Sequence, residues 1–393
     1  MENESKIEEI LTRGVAEIID ASHLKSRLSS GEPLRIKLGI DPTSPNLHIG
    51  RSVVLLKLRD FQQLGHQIVF IIGDFTGIIG DTSDKDAERK MLSEDEVKAN
   101  MATYLEQAGK ILDIDKVEVH SNSEWLSKLT YREIGHQADQ FGLADFIARE
   151  NIKTRLDAGK RVSLREVLYP LMQGYDSVMV KADVELGGTD QRFNLLSGRT
   201  MQERYDQSPQ DILITNLIMG TDGRKMSSSW GNTVNLTDAP KDMFGKVMSI
   251  PDDMIVPYFE HCTRLDMTKV REFETQLREN STNPRDIKMI LASEIVKLYW
   301  GEEKAQIASE HFVTVFQKRE LPSEIVEKQV SSNNIIDVLV EVGLALSRSD
   351  ARRLIDQSGV KINGTVVSDE TMSVKSGDSL QKGKREFIKI VNN

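Results

Sequence analysis

Residues 34–72 read LRIKLGIDPTSPNLHIGRSVVLLKLRDFQQLGHQIVFII, and this stretch decides the fold. Its opening, residues 34–40, alternates apolar and polar side chains as a half-buried strand does. Residues 52–64 repeat apolar side chains at helical spacing, and residues 68–72 form a continuous apolar run of the kind buried in a parallel sheet. A strand, a helix and a strand in this order predict a βαβ unit, and therefore a doubly wound, Rossmann-like α/β domain.

The character of the sequence changes twice beyond this domain. Residues 239–319 predict successive amphipathic helices (266–279, 283–299 and 303–318) with few strand signals. The segment after them contains a proline and serines, and the last residues predict two helices and short strands (335–342, 349–358, 360–362, 365–367 and 387–391). We therefore expect four parts: an α/β domain, a helical domain, a linker and a small α+β module, at residues 1–220, 221–319, 320–334 and 335–393.

Composition limits the class of protein. The apolar fraction of 39% and charged fraction of 28% are those of a globular chain, and no apolar run is long enough to suggest a membrane span. The charged N-terminus resembles neither a signal nor a transit peptide. The single cysteine, Cys262, excludes an internal disulfide and a cysteine zinc site, and the scattered histidines lack ligand spacing. We expect a cytoplasmic protein without a structural metal.

The net charge of −10 argues against indiscriminate binding to nucleic acid. From Ala345 to the end, however, nine Lys and Arg residues face six Asp and Glu residues. A basic tail on an acidic body is a weak indication of a nucleic-acid partner.

The first chemical motif is Asp41-Pro-Thr-Ser-Pro-Asn-Leu-His-Ile-Gly-Arg51. It follows a predicted strand, at the edge of the sheet where ligands bind in doubly wound folds. Gly50 permits close approach of a nucleotide, and the start of the following helix favours phosphate. His48 and Thr43 can donate hydrogen bonds to a phosphate. The alternative is an ordinary proline-rich loop, since no P-loop or Gly-x-Gly-x-x-Gly pattern is present.

The second motif is Gly223-Arg-Lys-Met-Ser-Ser-Ser-Trp-Gly-Asn232, just before the helical region. A Gly/Ser-rich loop with a lysine can close over a triphosphate and bring positive charge to leaving pyrophosphate. The alternative is a solvated linker with ordinary basic residues.

Together the two motifs resemble the HIGH and KMSKS signatures of class I aminoacyl-tRNA synthetases. The resemblance implies that His48 and Lys225 stabilise the transition state for attack of an amino-acid carboxylate on the α-phosphate of ATP. It implies roles in catalysis or ATP binding for further residues of both motifs and nearby positions: Gly39, Asp41, Thr43, Gly50, Arg51, Asp190, Met226, Ser227, Ser228 and Ser229. Mg²⁺ is expected to accompany ATP.

Two positions depart from these signatures. Arg51 stands where the first signature has histidine, and it can meet phosphate or ribose but cannot act as a neutral imidazole. Ser228 replaces a lysine in the second signature, so a cationic contact is missing there. The basic loop at residues 84–90, with Lys85 and Arg89, is a candidate to carry part of the phosphate charge. Its alternative is a solvated charged turn.

A third group of residues indicates which amino acid is activated. Tyr169, Gln173 and Asp176 lie at i, i+4 and i+7, on one face of a predicted helix. Asp176 can accept a phenol proton, whereas Tyr169 and Gln173, with Asp81, can bind an ammonium group. In Val184-Glu-Leu-Gly-Gly-Thr-Asp-Gln191, Asp190 suits ribose hydroxyls and Gln191 the carboxyl end of the substrate. A solvent-facing polar stripe is the alternative.

This set is similar to the tyrosine pocket of tyrosyl-tRNA synthetases, and the similarity extends through most of the chain. It includes Gly73-Asp-Phe-Thr-Gly-Ile-Ile-Gly-Asp81 and the tail. Many members of that family have a tyrosine at the position of Lys37, where it contacts the substrate hydroxyl. The second partner of that hydroxyl is therefore unassigned here.

The tail resembles an S4-type RNA-binding domain over Leu346–Ile355, Gly359–Gly364 and Lys382–Arg385. Such a domain offers cations to an RNA backbone. The expected tRNA contacts are Arg348, Arg352, Arg353, Lys361 and Lys384.

The sequence thus predicts a homodimeric class I enzyme that joins tyrosine to tRNA with ATP. Tryptophan activation on the same scaffold, and an RNA-binding relative without aminoacylation activity, are the two alternatives.

Overall fold

The computed structural model describes residues 2–81, 91–317, 326–383 and 386–391. The chain divides into two compact units, Met1–Ala308 and Ser309–Asn393, and each unit has its own sheet. Within the described residues, no helix is both long and apolar enough to cross a membrane.

The first unit is built on a six-stranded sheet in the order β1-β6-β5-β2-β3-β4. Its strands are β1 (Val15–Ile19), β2 (Arg35–Ile40), β3 (Gln67–Ile72), β4 (Val117–Ser121), β5 (Val184–Gly188) and β6 (Asp211–Thr215). All neighbours are parallel except β1, which pairs antiparallel with β6. The predicted doubly wound α/β fold is confirmed, and β1 is an edge strand that the sequence analysis did not predict.

Helices follow most strands of this sheet. The region from the N-terminus to β5 contains α1 (Glu2–Thr12), α2 (Ala21–Ser30), α3 (Ile49–Gln63), α4 (Asp74–Ile79), α5 (Glu94–Met101), α6 (Tyr104–Ala108), α7 (Ser123–Leu126), α8 (Tyr131–Ala138), α9 (Leu143–Ile147), α10 (Glu150–Asp157) and α11 (Leu164–Val180). The helix expected from residue 52 begins three residues earlier, because the extended backbone of His48 forms its N-cap. The first chemical motif therefore ends inside the first turn of α3.

The remaining helices of the first unit come after β5. They are α12 (Arg192–Arg204), α13 (Pro240–Met248), α14 (Ile255–Cys262), α15 (Met267–Arg278), α16 (Pro284–Trp300) and α17 (Glu302–Phe312), which reaches into the second unit. Three of the predicted helices correspond to α15, α16 and α17 within a few residues. The last of them ends at Phe312 and continues as a π-helical turn, Val313–Gln317.

The order of the strands identifies the edge of the sheet at which a ligand is expected to bind. From β2 the chain moves outward through β3 to β4, and it then returns to the other side of β2 with β5 and β6. The direction of winding changes between β2 and β5. In doubly wound folds the crevice at the carboxyl ends of the strands on either side of this switch point is the usual binding site.

The second unit contains a five-stranded sheet in the order β7-β11-β10-β8-β9. Its elements are β7 (Val326–Gln329), α18 (Ile335–Glu341), α19 (Arg348–Asp356), β8 (Val360–Ile362), β9 (Thr365–Val366), β10 (Ser379–Lys382) and β11 (Glu386–Val391). Its core consists of apolar side chains from both helices and the strands, among them Leu339, Ile355, Val360, Leu380 and Ile390.

Strand β7, which the sequence analysis did not predict, lies within the segment 320–334 that it describes as a linker. Val326–Gln329 pairs in parallel with β11. Its sequence, Val-Glu-Lys-Gln, has one apolar residue followed by three polar ones, so it lacks the alternation that identifies a strand. Backbone hydrogen bonds to a segment some sixty positions away define this strand, and local sequence patterns do not report such pairing.

Candidate active site

Two adjoining cavities, each of about 210 Å³, open at the carboxyl ends of the parallel strands. We name them the Asp176 cavity and the His48 cavity after a residue in each. They share part of their lining: Thr43, Arg51, Val54, Gly188 and Asp190. A single elongated ligand can therefore extend from one cavity into the other.

Helix α11 forms one wall of the Asp176 cavity. A capping box fixes its start, since Ser163 and Glu166 each bond the backbone N–H of the other residue. Tyr169, Gln173 and Asp176 all line the cavity, so the structure brings these three residues together.

Asp176 is a buried carboxylate with two protein donors. Its side chain accepts hydrogen bonds from Trp125 Nε1 at 2.7 Å and Asn122 Nδ2 at 3.2 Å. Burial raises the pKa of Asp176 to about 7, against the lowering effects of the Lys37 ammonium and of these two hydrogen bonds. A carboxylate has about four acceptor sites, and the described residues use only two of them. Asp176 can therefore accept a further proton donor from a ligand.

Among the described residues, three more carboxylates line the same cavity: Asp41, Asp81 and Asp190. Asp41 accepts hydrogen bonds from the hydroxyls of Tyr169 at 2.9 Å and Thr76 at 2.7 Å. Asp81 accepts one from Gln191 Nε2 at 2.7 Å. Burial and the negative charges of Asp41 and Asp81 raise the pKa of Tyr169 well above its usual value, so its phenol is neutral. Acidic groups around Tyr169 favour a cationic ligand group here.

The residues predicted to hold ATP divide between the two cavities. Gly39 and Asp41 line the Asp176 cavity, and a Cβ built on Gly39 would meet nothing within 4 Å. Gly50, Met226, Ser227 and Ser228 line the His48 cavity, and Asp190 lines both.

His48 is buried with a neutral imidazole. Burial, followed by the positive charges of Arg51 and Lys225, lowers the pKa of His48 to about 3. Its Nδ1 has no hydrogen-bond partner within the described part of the chain. A Cβ on Gly50 would lie 2.9 Å from that nitrogen, so any side chain at position 50 would displace the ring. His48 therefore has the protonation state of a hydrogen-bond donor to an anion and not that of a cation.

Arg51 lies where the two cavities meet. Its guanidinium donates to the carbonyl of Asp41 at 3.2 Å and to the hydroxyl of Thr43 at 3.1 Å. These two contacts hold the cation and the hydroxyl side by side.

The second motif forms a loop over the His48 cavity. Asn232 organises the loop: it accepts from the N–H of Ser227 at 2.9 Å and donates to Asp222 at 2.8 Å and to the carbonyl of Lys225 at 3.1 Å. Lys225 Nζ lies 3.1 Å from Asp190 Oδ2. Lys225 of the second motif thus forms an ion pair with Asp190, the residue predicted to bind ribose.

Some predicted site residues lie outside the described residues. These are Lys85 and Arg89 in the basic loop and Lys384 in the tail, and the side chain of Ser229 is likewise not described. Their predicted roles are untested.

The predicted RNA contacts of the tail include three exposed arginines. All three lie on α19, each in an ion pair across 2.5–3.0 Å: Arg348 with Asp337, Arg352 with Glu370 and Arg353 with Asp350. Lys361 lies on β8. Exposed pairs of this kind contribute little stability, so these arginines can exchange their carboxylate partners for phosphates at small cost.

Sequence reasoning missed several residues that position the site. Trp125 and Asn122 bind Asp176, Thr76 binds Asp41, and Asn232 organises the second motif. Asn122 directly follows β4, so its place at the binding edge of the sheet was available as a signal. Among the described residues, no three His, Cys, Asp or Glu side chains are grouped so that they could hold a metal ion.

Comparison with known proteins identifies the family. The family described as tRNA synthetases class I (W and Y) matches residues 29–317, and the S4 domain matches residues 335–380. A tyrosine–tRNA ligase of Thermotoga maritima is 46% identical over 97% of this chain and 96% of that protein. Another, from Dehalococcoides mccartyi, is 44% identical over 99% of both chains.

Solved structures agree in fold. A C-terminally truncated mitochondrial tyrosyl-tRNA synthetase of Aspergillus nidulans has a TM-score of 0.66 at 22% identity, covering 79% of this chain and 94% of that one. The tyrosyl-tRNA synthetase of Archaeoglobus fulgidus complexed with L-tyrosine has a TM-score of 0.62 at 21% identity, covering 79% and 100%. With the family match and relatives that span nearly the whole length, the chain belongs to the tyrosyl-tRNA synthetases, a family of class I aminoacyl-tRNA synthetases, and carries an S4 domain.

Proposed function

We propose that this chain is a tyrosine–tRNA ligase, which activates L-tyrosine with ATP to tyrosyl-adenylate and transfers the tyrosyl group to the 3′ end of tRNA. One observation carries the choice of amino acid. A buried carboxylate, Asp176, lines a cavity whose other acidic groups surround Tyr169. The hydroxyl of tyrosine can bond Asp176, and its ammonium group can lie near the acidic groups around Tyr169.

In this assignment the substrate phenol donates a hydrogen bond to Asp176. Trp125 and Asn122 hold that carboxylate in place. The substrate ammonium group lies near Tyr169, Gln173 and Asp81, and Gln191 faces its carboxyl end. Phenylalanine would leave the buried Asp176 without its ligand donor, which costs far more than the loss of one apolar contact.

The first chemical step takes place between tyrosine in the Asp176 cavity and ATP in the His48 cavity. An oxygen of the tyrosine carboxylate attacks the α-phosphorus of ATP, a P–O bond forms there, and the bond to the β-phosphate bridging oxygen breaks as pyrophosphate leaves. His48 donates a hydrogen bond from its neutral ring, and Thr43 and Arg51 add a donor and a positive charge. Such preorganised donors stabilise charge that develops in the transition state.

Lys225 supplies charge to the leaving pyrophosphate. Its contact with Asp190 gives it a resting position 3.1 Å away. Ribose hydroxyls of ATP would compete for the same carboxylate. Binding of the nucleotide would thereby release the ammonium toward the phosphates, and the lysine would act where charge increases during the reaction.

The other assignments extend this proposal. Mg²⁺ would come with the phosphates, as it commonly does when one or two carboxylates and substrate oxygens complete its shell. Lys85 and Arg89 would add charge in place of the lysine absent at Ser228. In the second step the tail would hold tRNA through Arg348, Arg352, Arg353, Lys361 and Lys384 while the ribose hydroxyl of its terminal adenosine attacks the tyrosyl carbonyl and AMP leaves. A homodimer, the cytoplasm as location and the domain boundaries at residues 220, 319 and 334 also remain predictions.

ATP–pyrophosphate exchange with each of the twenty amino acids tests the proposal. We expect exchange with tyrosine alone. Exchange with tryptophan would favour the related activity on the same scaffold. A chain that binds tRNA but catalyses no exchange with any amino acid would be an RNA-binding relative without aminoacylation activity.

A further inference from the structure

A buried ion pair lies at the switch point of the sheet. Lys37 on β2 and Glu185 on β5 are register partners in these neighbouring strands, with 0% and 1% of their side chains exposed. Lys37 Nζ is 2.9 Å from Glu185 Oε1.

Protein groups account for every proton of the Lys37 ammonium. Besides Glu185, it donates to the Ser177 hydroxyl at 2.7 Å and to the carbonyl of Gln173 at 2.9 Å. Glu185 in turn accepts from Gln173 Nε2 at 3.1 Å, from Ser177 at 3.1 Å and from Gln210 Nε2. Lys37 therefore has no donor left for a ligand.

The network bonds two residues of α11, the helix that forms one wall of the Asp176 cavity. Gln173 is bonded at its backbone by Lys37 and at its side chain by Glu185. Ser177 bridges the same two charged groups, and it directly follows Asp176 in the helix. A buried pair of this kind is weak evidence for stability, since apolar residues of similar volume commonly replace one without loss. Its place beneath Gln173 and Asp176 indicates a role in the site.

We propose that Lys37 and Glu185 act as a positioning pair for tyrosine recognition: they fix Gln173 and balance the charge around Asp176, instead of contacting the substrate hydroxyl from position 37. This inference rests on the proposed tyrosine–tRNA ligase function. The two charges oppose each other at Asp176, because the Lys37 ammonium lowers the pKa of that carboxyl and the Glu185 carboxylate raises it.

Other titratable groups act near the same place. Tyr169 is on the same helix as Asp176, and burial, together with Asp41 and Asp81, raises its pKa well above the usual tyrosine value. His120 on β4 packs on Trp125 with ring centroids 5.6 Å apart, and it bonds Glu118 and Glu124, which raise its pKa against the effect of burial. A pH profile must therefore be compared between variants that all retain these groups.

Three variants of the full-length chain test the pair: Glu185→Gln, Lys37→Met and the double variant Lys37→Met/Glu185→Gln. The measurement is kcat/KM for tyrosine in ATP–pyrophosphate exchange as a function of pH. In the wild type we expect activity to fall as Asp176 takes up a proton near pH 7. Removing the negative partner should move this acid limb to lower pH by about one unit, and removing the positive partner should move it to higher pH by a similar amount.

The double variant leaves no uncompensated buried charge, so it should fold even if a single variant does not. It also lacks the ammonium that bonds Gln173, so its KM for tyrosine should rise. Its acid limb should return to within a few tenths of a unit of the wild-type value. An acid limb that stays in place in Glu185→Gln, or a wild-type KM for tyrosine in the double variant, with only thermal stability altered, would overturn the inference and reduce the pair to a structural element. Wild-type exchange without dependence on tyrosine would instead overturn the proposed function, so the two failures are distinguishable.

Discussion

The two cavities of the site differ in how many of their polar groups already have hydrogen-bond partners within the protein. In the Asp176 cavity, the carboxylates, Tyr169 and Gln191 are bonded to one another or to neighbouring side chains. In the His48 cavity, the imidazole Nδ1 has no partner among the described residues, and Lys225 rests on Asp190. The first cavity has its binding geometry already formed, whereas the second needs a ligand to complete it.

The difference follows from the elements that build each cavity. Helix α11 and the ends of β2, β3 and β5 carry the residues of the Asp176 cavity, so packing fixes their positions. The His48 cavity depends on the loop around Lys225 and on the first turn of α3. Sites on rigid elements are more exact, and loops supply groups that move. We infer that the first cavity selects the amino acid and that the second lowers the barrier of the reaction.

The largest effect is expected from Asp176→Ala. Tyrosine-activating enzymes are the standard example of discrimination by a buried polar site, with a preference over phenylalanine of roughly 10⁵. The wild type rejects phenylalanine because phenylalanine leaves the buried Asp176 without a donor. The variant has no carboxylate at this position, so it should lose most of that preference. The ratio of kcat/KM values for the two amino acids in pyrophosphate exchange measures it. Wild-type discrimination in the variant would show that Asp176 does not contact the phenol.

Lys225→Ala should have the next largest effect. Losing one preorganised electrostatic donor typically lowers the rate by about 10²–10³-fold. We expect a reduction toward the upper end of this range in the single-turnover rate of adenylate formation, because the uncharged Ser228 cannot supply positive charge in place of Lys225. Lys269→Ala, at a half-exposed position of α15, is the matched control and should leave the rate unchanged. A rate within a factor of about three of wild type would return the loop to the status of a linker.

Asp176→Asn should stabilise the chain while it disables recognition. The folded pKa of about 7 lies above the usual 3.8, so folding favours the protonated form, and ionisation of Asp176 costs stability increasingly as pH rises from 4 to 7. The non-titrating amide avoids this cost. At pH 8 the variant should be more stable by roughly 2–4 kcal/mol, and the gain should shrink toward pH 5. Urea unfolding at both pH values tests this, and a gain independent of pH would contradict it.

The smallest effect is expected in the tail, far from both cavities in the sequence. Arg352→Glu/Arg353→Glu should leave adenylate formation unchanged. It should weaken tRNA binding and reduce its salt dependence, since each lost phosphate contact lowers the slope of log K against log salt by about one. Arg271→Glu/Arg278→Glu, at two exposed positions of α15, is a control with the same total charge change. Equal salt slopes in the two variants would remove the tail arginines from the RNA interface.

The sequence reveals this site unevenly, for physical reasons. Residues 34–72 predict the βαβ unit because hydrophobic periodicity is a local signal, and the edge rule then places His48 and Asp41 at the binding crevice. The helical spacing of Tyr169, Gln173 and Asp176 is equally local. The partners of Asp176, by contrast, come from a segment about fifty residues away, and no periodicity reports such a contact. The strand β7 escaped prediction for the same reason.

The central claim is that one cavity selects tyrosine and the other drives the chemistry. Equilibrium binding of L-tyrosine without ATP, measured in the wild type, Asp176→Ala and Lys225→Ala, tests it most directly. The account predicts that Lys225→Ala binds tyrosine with the wild-type dissociation constant and that Asp176→Ala binds it far more weakly. Weak binding by Lys225→Ala together with normal binding by Asp176→Ala would contradict this division of roles.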